Sequence, residues 1–224
     1  MKKVIVAIDG PSGAGKSTVG KMLAKELGYL YIDTGAMYRA IGLKAVRLGI
    51  ELKEGHALRE LCIGTEVRLE QADGGVRVYL DNEDVSTEIR TPEMGMVASA
   101  VSAQPCVRER LLQLQRRLGE GGGVVLEGRD IGTVVFPDAQ VKFYLDAKVE
   151  ERARRRWLEF QSKGIEADLQ KTIEEVAKRD YDDSHREIAP LKKAQDAFVV
   201  DSSGLGIKEV VALMKKKVLE VAAA

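Results

Sequence analysis

Residues 4–17, VIVAIDGPSGAGKS, decide the fold. Val4 to Ile8 form a continuous and mostly β-branched run, which predicts a central strand buried on both faces. Residues 10–17 match in full the pattern GxxxxGK followed by Ser or Thr. A helical pattern runs from Ser17 to Leu27, and Gly28 is its expected C-terminal stop. The sequence therefore places a glycine-rich phosphate-binding loop between a buried strand and a helix.

The residue types of this loop suit a nucleoside triphosphate. Glycines let successive backbone N–H groups point into a concavity sized for a phosphate, and the helix N-terminus adds partial positive charge. Lys16 is expected to bridge the β- and γ-phosphates, and the Ser17 hydroxyl to ligate Mg²⁺. The predicted nucleotide-binding residues are Gly10, Pro11, Ser12, Gly13, Ala14, Gly15, Lys16, Ser17 and Thr18.

Composition limits the classes of partner. The chain of 224 residues can bury one sizeable core, so we expect a single domain over residues 1–224. Its 35 Lys and Arg balance 35 Asp and Glu, which gives no reason to expect a nucleic acid polymer or a membrane as partner. Two cysteines make no disulfide framework, and the apolar run before Asp9 is too short for a signal sequence. We expect a cytoplasmic monomer.

The rest of the chain alternates strands and helices. Further buried strands are predicted at Tyr29 to Ile32, Val124 to Leu126, Val141 to Leu145 and Ala197 to Val200. Helices are predicted near residues 35–48, 104–118, 148–163, 167–182 and 207–221. This alternation predicts a central parallel sheet covered on both faces, the three-layer α/β/α architecture of P-loop NTPases.

Residues 65–80 depart from that alternation. Apolar and charged residues alternate with a period of two on either side of Ala72-Asp73-Gly74-Gly75. This pattern predicts a half-exposed antiparallel hairpin, and we assign roughly residues 60–90 to a small inserted β subdomain. The pattern does not decide whether the insert contributes to binding.

Three polar clusters are predicted at the carboxyl ends of strands, at residues 10–17, 33–39 and 127–130. Ligands of open parallel sheets bind at these strand ends. In the second cluster Thr34 is a candidate N-cap, and Tyr38 and Arg39 would project from the first turns of the helix. An arginine there suits a second phosphate close to the first. Each cluster alone is also compatible with ordinary surface charge.

Two arginine-rich helical segments could complete the site. In Glu151 to Arg156, Arg152 and Arg156 are four residues apart and share a helix face. Such a pair can close over a transferring phosphoryl group and exclude water, or can simply form a basic patch. Residues 179–186, RDYDDSHR, could likewise contact a ligand or form a helix face of ion pairs.

The phosphate-binding loop alone does not distinguish a kinase from other nucleotide-binding proteins. The NKxD string with which GTPases recognise guanine is absent. The residues leave open a nucleoside monophosphate kinase for one of several acceptors, UMP and dTMP included. They also leave open a nucleotide-dependent switch that signals through a partner.

The motifs GPSGAGKS, DTGAMYR, EGRDIGTVVFPDA and RDYDDSHREIAPL together resemble those of the bacterial cytidylate kinase family, over roughly residues 3–220. IDTGAMYR is also similar to the monophosphate-binding motif of adenylate kinase-like enzymes. The resemblance implies phosphoryl transfer from ATP to CMP and dCMP, with Mg²⁺, giving ADP and the diphosphate. It also implies a core at about 1–35, 104–147 and 185–224, a monophosphate-binding insert at about 36–103 and a helical lid at about 148–184.

The resemblance also implies roles for single residues. The acceptor phosphate would be held by Arg39, Arg129 and Arg186, with Tyr38 and Thr34 beside them. The cytosine would be recognised by Ser99, Arg108 and Asp130, and the ribose by Arg179 and Asp183. Glu127 would take an outer-shell role toward Mg²⁺. The residues expected to act on the transferring phosphoryl group are Lys16, Arg129, Arg152, Arg156 and Arg186.

Overall fold

The computed structural model describes residues 2–72, 75–162 and 164–223. Within them, five parallel strands form the main sheet, in the spatial order β2-β6-β1-β7-β8. These strands are β1 (Ile5–Asp9), β2 (Leu30–Asp33), β6 (Val124–Gly128), β7 (Val141–Asp146) and β8 (Phe198–Asp201). Each lies at a position where the sequence predicts a buried strand, and β1 is central as expected. The predicted burial is wrong for β8, because this strand is at the edge of the sheet and only its Val200 is buried.

Helices cover both faces of this sheet. They are α1 (Lys16–Leu27), α2 (Thr34–Arg47), α3 (His56–Ile63), α4 (Pro92–Ser102), α5 (Pro105–Gly119), α6 (Val149–Ser162), α7 (Leu169–His185) and α8 (Ile207–Ala223). Alternate residues of β1 enter different cores: Val6 and Ile8 pack with Leu23 of α1 and Met214 of α8. Ala7 packs on the opposite side, in the core that contains α2. The predicted three-layer α/β/α architecture is therefore confirmed.

The predicted hairpin is present. β3 (Val67–Ala72) and β4 (Gly75–Leu80) pair antiparallel, with Val67 opposite Leu80, and a short β5 (Glu83–Asp84) extends this second sheet. Asp73 and Gly74 of the predicted turn lie outside the described residues. Val78 and Leu80 are buried in the same core as α2, so the small sheet packs on the main domain through one face.

Some elements differ from the sequence-based expectation. Helices α3 and α4 and a short π-helical segment at Ile131–Val135 have no counterpart in the predicted pattern. Thr34 is not the N-cap of α2: Asp33 caps the helix by accepting a hydrogen bond from the Ala36 N–H at 2.9 Å. The Thr34 hydroxyl instead donates to the backbone carbonyl of Glu127 at 2.7 Å. Thr34 does not cap the helix because its hydroxyl is engaged by this carbonyl on the neighbouring strand β6.

Among the residues that the structure describes, no helix is both long and apolar enough to cross a membrane.

Candidate functional site

A cavity of about 660 Å³ lies at the carboxyl ends of the main-sheet strands. It is bounded by the phosphate-binding loop, the first turns of α2, one face of α4, the residues after β6, and parts of α6 and α7. Most of the predicted site residues line it: Ser12, Gly13, Ala14, Gly15, Lys16, Ser17, Thr18, Thr34, Tyr38, Arg39, Ser99, Arg108, Arg129, Asp130, Arg156, Arg179, Asp183 and Arg186. Gly10, Pro11 and Arg152 are outside this lining.

The loop between β1 and α1 needs its glycines for conformation and space. Gly10 has φ +152°, and a Cβ there would lie 2.0 Å from the carbonyl oxygen of Leu145. Gly15, with φ +94°, is the N-cap of α1. These backbone conformations are costly for any residue with a Cβ. They bring the first N–H groups of α1 to the cavity, where an anion would be stabilised.

Lys16 is the charged group at the base of this loop. Its side chain is buried and its ammonium donates to the carbonyl of Pro11 at 2.7 Å. Burial, followed by the nearby positive charge of Arg129, lowers the pKa of Lys16 to about 7. A bound anion would stabilise the protonated ammonium and so restore the full positive charge of Lys16.

Two acidic side chains lie near the start of α1. Glu127, at the end of β6, is buried and accepts a hydrogen bond from the Tyr31 hydroxyl. Burial and the neighbouring charge of Asp33 raise the pKa of Glu127, and its carboxyl also interacts with the Ser17 hydroxyl. The described residues contain no group of three or more His, Cys, Asp or Glu side chains that could hold a metal ion by themselves.

Asp33 forms ion pairs with two arginines beside the first turn of α2. It accepts from Arg39 at 3.0 Å and pairs with Arg90 at 3.2 Å. Burial acts to raise the pKa of Asp33, but the two guanidinium groups outweigh it and hold that pKa below its usual value. Nε of Arg39 is buried without a hydrogen-bond partner, so this donor is available to a ligand in the cavity. Arg90, which follows the small sheet, was not predicted as a site residue.

Asp9, at the end of β1, ties the segment after β6 to the phosphate-binding loop. Its carboxylate accepts from the backbone N–H groups of Ile131 at 2.8 Å and Gly132 at 2.7 Å. Burial outweighs these hydrogen bonds and raises the pKa of Asp9 to about 6. The contact fixes the position of the neighbouring Arg129 and Asp130 relative to the loop.

Two of the three predicted cytosine-recognising residues, Arg108 and Asp130, contact each other in the cavity, whereas the third, Ser99, contacts Asp183. Arg108 and Asp130 form a buried ion pair, and Arg186 lies 3.6 Å from the other oxygen of Asp130. Arg186 is held in place by the Ser102 hydroxyl at 3.0 Å and by the carbonyl of Ala189 at 2.8 Å. The pair is thus buried, oriented and accessible from the cavity.

Asp183 of α7 connects several of the remaining predicted residues. It accepts from Nε of Arg129 at 2.7 Å and from the Ser99 hydroxyl at 3.4 Å, and its carboxylate lies 4.0 Å from Nε of Arg179. Burial and the charge of Arg129 lower the pKa of Arg179 to about 10. Nε of Arg179 is buried without a hydrogen-bond partner. Two guanidinium groups beside one carboxylate leave spare positive charge for an anionic ligand.

The arginines of α6 divide into two groups. Arg156 lines the cavity, pairs with Glu159 at 3.0 Å and lies over the ring of Phe160 at 4.6 Å. Arg155 also lines it and donates to the hydroxyl and carbonyl oxygens of Ser202, at 3.0 and 2.8 Å. Arg152 is buried outside the lining, so the structure does not bring it to a transferring phosphoryl group.

A sequence model described as cytidylate kinase matches residues 6–220 of the chain. The chain belongs to the cytidylate kinase family. It is 55% identical to the cytidylate kinase of Citrifermentans bemidjiense over 217 residues, which cover 97% of this chain and 93% of that protein. It is 49% identical to the cytidylate kinase of Enterococcus faecalis over 215 residues, which cover 96% and 95% of the two chains. The predicted family is confirmed.

Solved structures support the fold. A gluconokinase from Sinorhizobium meliloti superposes with a TM-score of 0.51 and 14% identity, covering 100% of this chain and 96% of the gluconokinase. An uncharacterized protein from Eubacterium ventriosum gives a TM-score of 0.53 and 12% identity, covering 96% and 98%. At such low identity these likenesses concern the fold alone.

Two residues in this cytidylate kinase-family site were missed from the sequence, Arg90 and Arg155. Arg90 lies at the end of a segment whose role the pattern left undecided, so nothing local marked it. Arg155 belongs to a run of charged residues in which the sequence shows helical spacing but not which face of the helix meets the cavity. Arg155 is selected by the docking of α6 against the phosphate-binding loop and against Ser202, the residue after β8.

Proposed function

We propose that this protein transfers the γ-phosphoryl group of ATP to CMP, giving ADP and CDP, and that it also accepts dCMP. The observation that carries the proposal is the convergence of two anion-binding clusters on one cavity. The loop around Lys16 suits a triphosphate, and the arginines around Asp33 and Asp183 suit a second, monoester phosphate. Membership of the cytidylate kinase family supports CMP as the acceptor.

The proposed reaction needs no side-chain nucleophile. An oxygen of the acceptor phosphate attacks the γ-phosphorus in line, and the bond to the β-phosphate oxygen breaks as ADP leaves. Lys16 would neutralise charge on the β- and γ-phosphates, while Arg39, Arg129 and Arg186 hold the acceptor phosphate. Catalysis then rests on positioning and on charge stabilisation in a site shielded from water.

Recognition of the base would fall to the buried pair of Arg108 and Asp130, with Ser99. Cytosine offers an amino donor beside the N3 and O2 acceptors, which complements a carboxylate, a guanidinium and a hydroxyl. A site of buried polar groups rejects the wrong base because its own partners would be left unpaired. Arg179 and Asp183 would hold the ribose.

Mg²⁺ is the proposed cofactor, and the residues present fit it. The Ser17 hydroxyl lines the cavity and Glu127 lies beside it. Among the residues that the structure describes, no cluster of three or more acidic side chains would hold a metal alone. Mg²⁺ prefers few protein ligands and shares the rest of its shell with phosphates and water. When bound with the nucleotide, it would neutralise developing charge on the phosphate oxygens.

We further propose that the chain has a core at about 1–35, 104–147 and 185–224, with two parts that move as units. These are residues 36–103, which carry the acceptor side, and residues 148–184, which form the lid. Closure would exclude water, which otherwise competes as acceptor. The protein is proposed to act as a monomer in the cytoplasm, testable by light scattering and by fractionation of cells producing it.

The test is ADP formation from ATP–Mg²⁺ with CMP, dCMP, UMP, AMP, GMP and dTMP offered separately. Fast transfer confined mainly to CMP and dCMP is the expected result, and Lys16→Ala should abolish it. Transfer to another monophosphate would retain a kinase but overturn the assignment of Ser99, Arg108 and Asp130 to cytosine. Binding of ATP without transfer to any acceptor would overturn the proposal and favour a nucleotide-dependent switch.

A further inference from the structure

Both peptide groups of Ser12, in the phosphate-binding loop, are held by side chains from the two lid helices. Asp180 of α7 accepts a hydrogen bond from the Ser12 N–H at 3.3 Å. Arg152 of α6 donates to the Ser12 carbonyl at 3.0 Å and to the Ala147 carbonyl at 2.8 Å. Arg152 and Asp180 also form an ion pair at 2.5 Å. The loop is therefore clamped on its outer side by one ion pair, in which Arg152 is buried and Asp180 is partly exposed.

The clamp fixes which way two consecutive peptides face. The carbonyl and N–H of a trans peptide point in opposite directions. The Pro11 carbonyl points to the Lys16 ammonium, so the Ser12 N–H of the same peptide points away, to Asp180. In the next peptide the Ser12 carbonyl points to Arg152, which lies outside the cavity lining. The N–H of Gly13 consequently faces the opposite way, toward the cavity that Gly13 lines.

We propose that Arg152 and Asp180 are positioning residues, which lock the Ser12–Gly13 peptide so that the Gly13 N–H is presented to a phosphate of the bound nucleotide. A peptide that precedes glycine turns over readily, because glycine accepts positive and negative φ at similar cost. Gly13 has φ +76°. If the peptide turned over, the Ser12 carbonyl would direct its partial negative charge at the phosphate in place of a donor.

Close packing reinforces this assignment. A Cβ at Gly13 would lie 2.8 Å from the backbone carbonyl oxygen of Arg152 and 3.0 Å from its Cβ, so α6 packs directly on the loop. The Arg152 guanidinium is committed to two carbonyls and one carboxylate. It acts through Gly13 rather than by contact with the phosphoryl group, which replaces the catalytic role predicted for Arg152 from its helical spacing.

The orientation of Gly13 can be observed directly. The sequence contains two Ser-Gly steps, Ser12-Gly13 and Ser203-Gly204. Protein labelled with ¹³C-carbonyl serine and ¹⁵N-glycine therefore gives two signals in a carbonyl-to-amide correlation NMR spectrum, and Gly204 reports on the fold. Addition of ADP should move the Gly13 amide proton downfield in the parent protein, as a hydrogen bond to phosphate does. In Arg152→Ala and Asp180→Ala this movement should be lost while the Gly204 signal of the free protein stays in place.

Conservative variants separate positioning from packing. Asp180→Asn retains an acceptor for the Ser12 N–H but removes the charge that holds Arg152, so we expect a reduced Gly13 shift. Arg152→Lys cannot reach all three oxygens from one ammonium, and should restore little. If the alanine variants do not fold, Asp180→Asn and Arg152→Lys provide the test in their place. Asp182→Asn, which removes an exposed ion pair with Lys178 on the same helix, is the matched control.

Steady-state kinetics provide the second readout. This readout rests on the proposed function, whereas the NMR titration with ADP does not. Loss of one oriented donor should lower kcat/KM for ATP about 100-fold in Arg152→Ala. Affinity for CMP in the absence of ATP should stay within about threefold, since the clamp does not touch the acceptor side. A parent-like Gly13 shift in Arg152→Ala, or an equal loss of ATP and CMP affinity, overturns the proposal. A parent protein that binds ADP but phosphorylates no CMP refutes the proposed function and leaves the clamp to be judged by the Gly13 signal.

Discussion

Arg108 and Asp130 form an ion pair whose side chains are 9% and 6% exposed, on the wall of the cavity. They come from α5 and from the segment after β6, which are separated by 22 positions in sequence. Desolvating two charges is costly, and the pair alone gives weak evidence of stabilisation. The proposed recognition of a base by this pair would account for the cost, because a base with a matching polar edge can complete the hydrogen bonds of both groups.

Asp130→Ala is therefore expected to weaken discrimination among acceptors more than it weakens ATP binding. The change leaves Arg108 without its partner and removes the acceptor proposed for the cytosine amino group. We expect kcat/KM for CMP to fall about 100-fold or more, with KM for ATP within about twofold of the parent. Steady-state kinetics with each nucleotide varied in turn measures both. Asp196→Asn, which breaks the pair with Lys142 outside the cavity lining, is the control, and unchanged base preference in Asp130→Ala would refute the assignment.

Substitution of Arg155 is expected to weaken use of ATP rather than of CMP, the reverse of the effect expected for Asp130→Ala. Its guanidinium spans the hydroxyl and carbonyl oxygens of Ser202 on the side of the cavity that the start of α8 lines. This side adjoins the phosphate-binding loop, so we expect it to hold the donor nucleotide. Arg155→Ala should raise KM for ATP about tenfold and leave KM for CMP within about twofold. Arg155→Lys should rescue little, because one ammonium cannot span both oxygens.

The neighbouring Arg154 provides the matched control for that experiment, since it is exposed and does not line the cavity. Arg154→Ala should retain the parent's KM for both nucleotides. If Arg155→Ala instead raised KM for CMP alone, the donor and acceptor sides would be interchanged.

The packing of α2 on α4 gives a prediction for stability. A Cβ at Gly42 would lie 2.4 Å from Cγ1 of Val97. Alanine at a helix-interior glycine gains about 1 kcal/mol in helix propensity, whereas overpacking costs about 1–3 kcal/mol. Val97 lies in a helix, where its β-branched side chain is restricted to few rotamers. We therefore expect the cost of overpacking to exceed the gain in helix propensity. Gly42→Ala should lower the urea midpoint of unfolding, and Val97→Ala in the same chain should recover part of the loss. Additive effects of the two substitutions would contradict this account.

The positions of the strands were predictable because the signals are local. The β-branched runs and the glycine-rich loop appear in consecutive residues, and each of the five predicted buried strands is found within two residues of its expected bounds. The antiparallel hairpin was predictable for the same reason, since its period of two is contained in one segment.

What the sequence did not provide depends on tertiary contacts. Asp33 rather than Thr34 caps α2, because Thr34 is drawn to the Glu127 carbonyl on a neighbouring strand. Arg152 and Arg156 share a helix face, yet one holds the Ser12 carbonyl and the other lines the cavity. That difference follows from how α6 docks on the phosphate-binding loop, and helical spacing carries no information about docking.

The lowered pKa of Lys16 predicts that nucleotide binding takes up a proton. With a pKa of about 7 in the free protein, Lys16 is largely neutral at pH 8. The phosphates of ATP stabilise the ammonium form, so binding raises the pKa of Lys16 and the site should take up close to one proton. The sign follows from the direction of that change, and ATP affinity should therefore weaken as the pH rises above about 7. Calorimetry of ATP binding at pH 8, without added metal and in two buffers that differ in ionisation enthalpy, measures the uptake.

Lys16→Met should abolish the uptake. Glu127→Gln is the companion variant, since the pKa of Glu127 is also raised in the free protein and its carboxyl could titrate with the ligand. Uptake that persists in Lys16→Met but disappears in Glu127→Gln would assign the proton to the glutamate and refute a neutral Lys16.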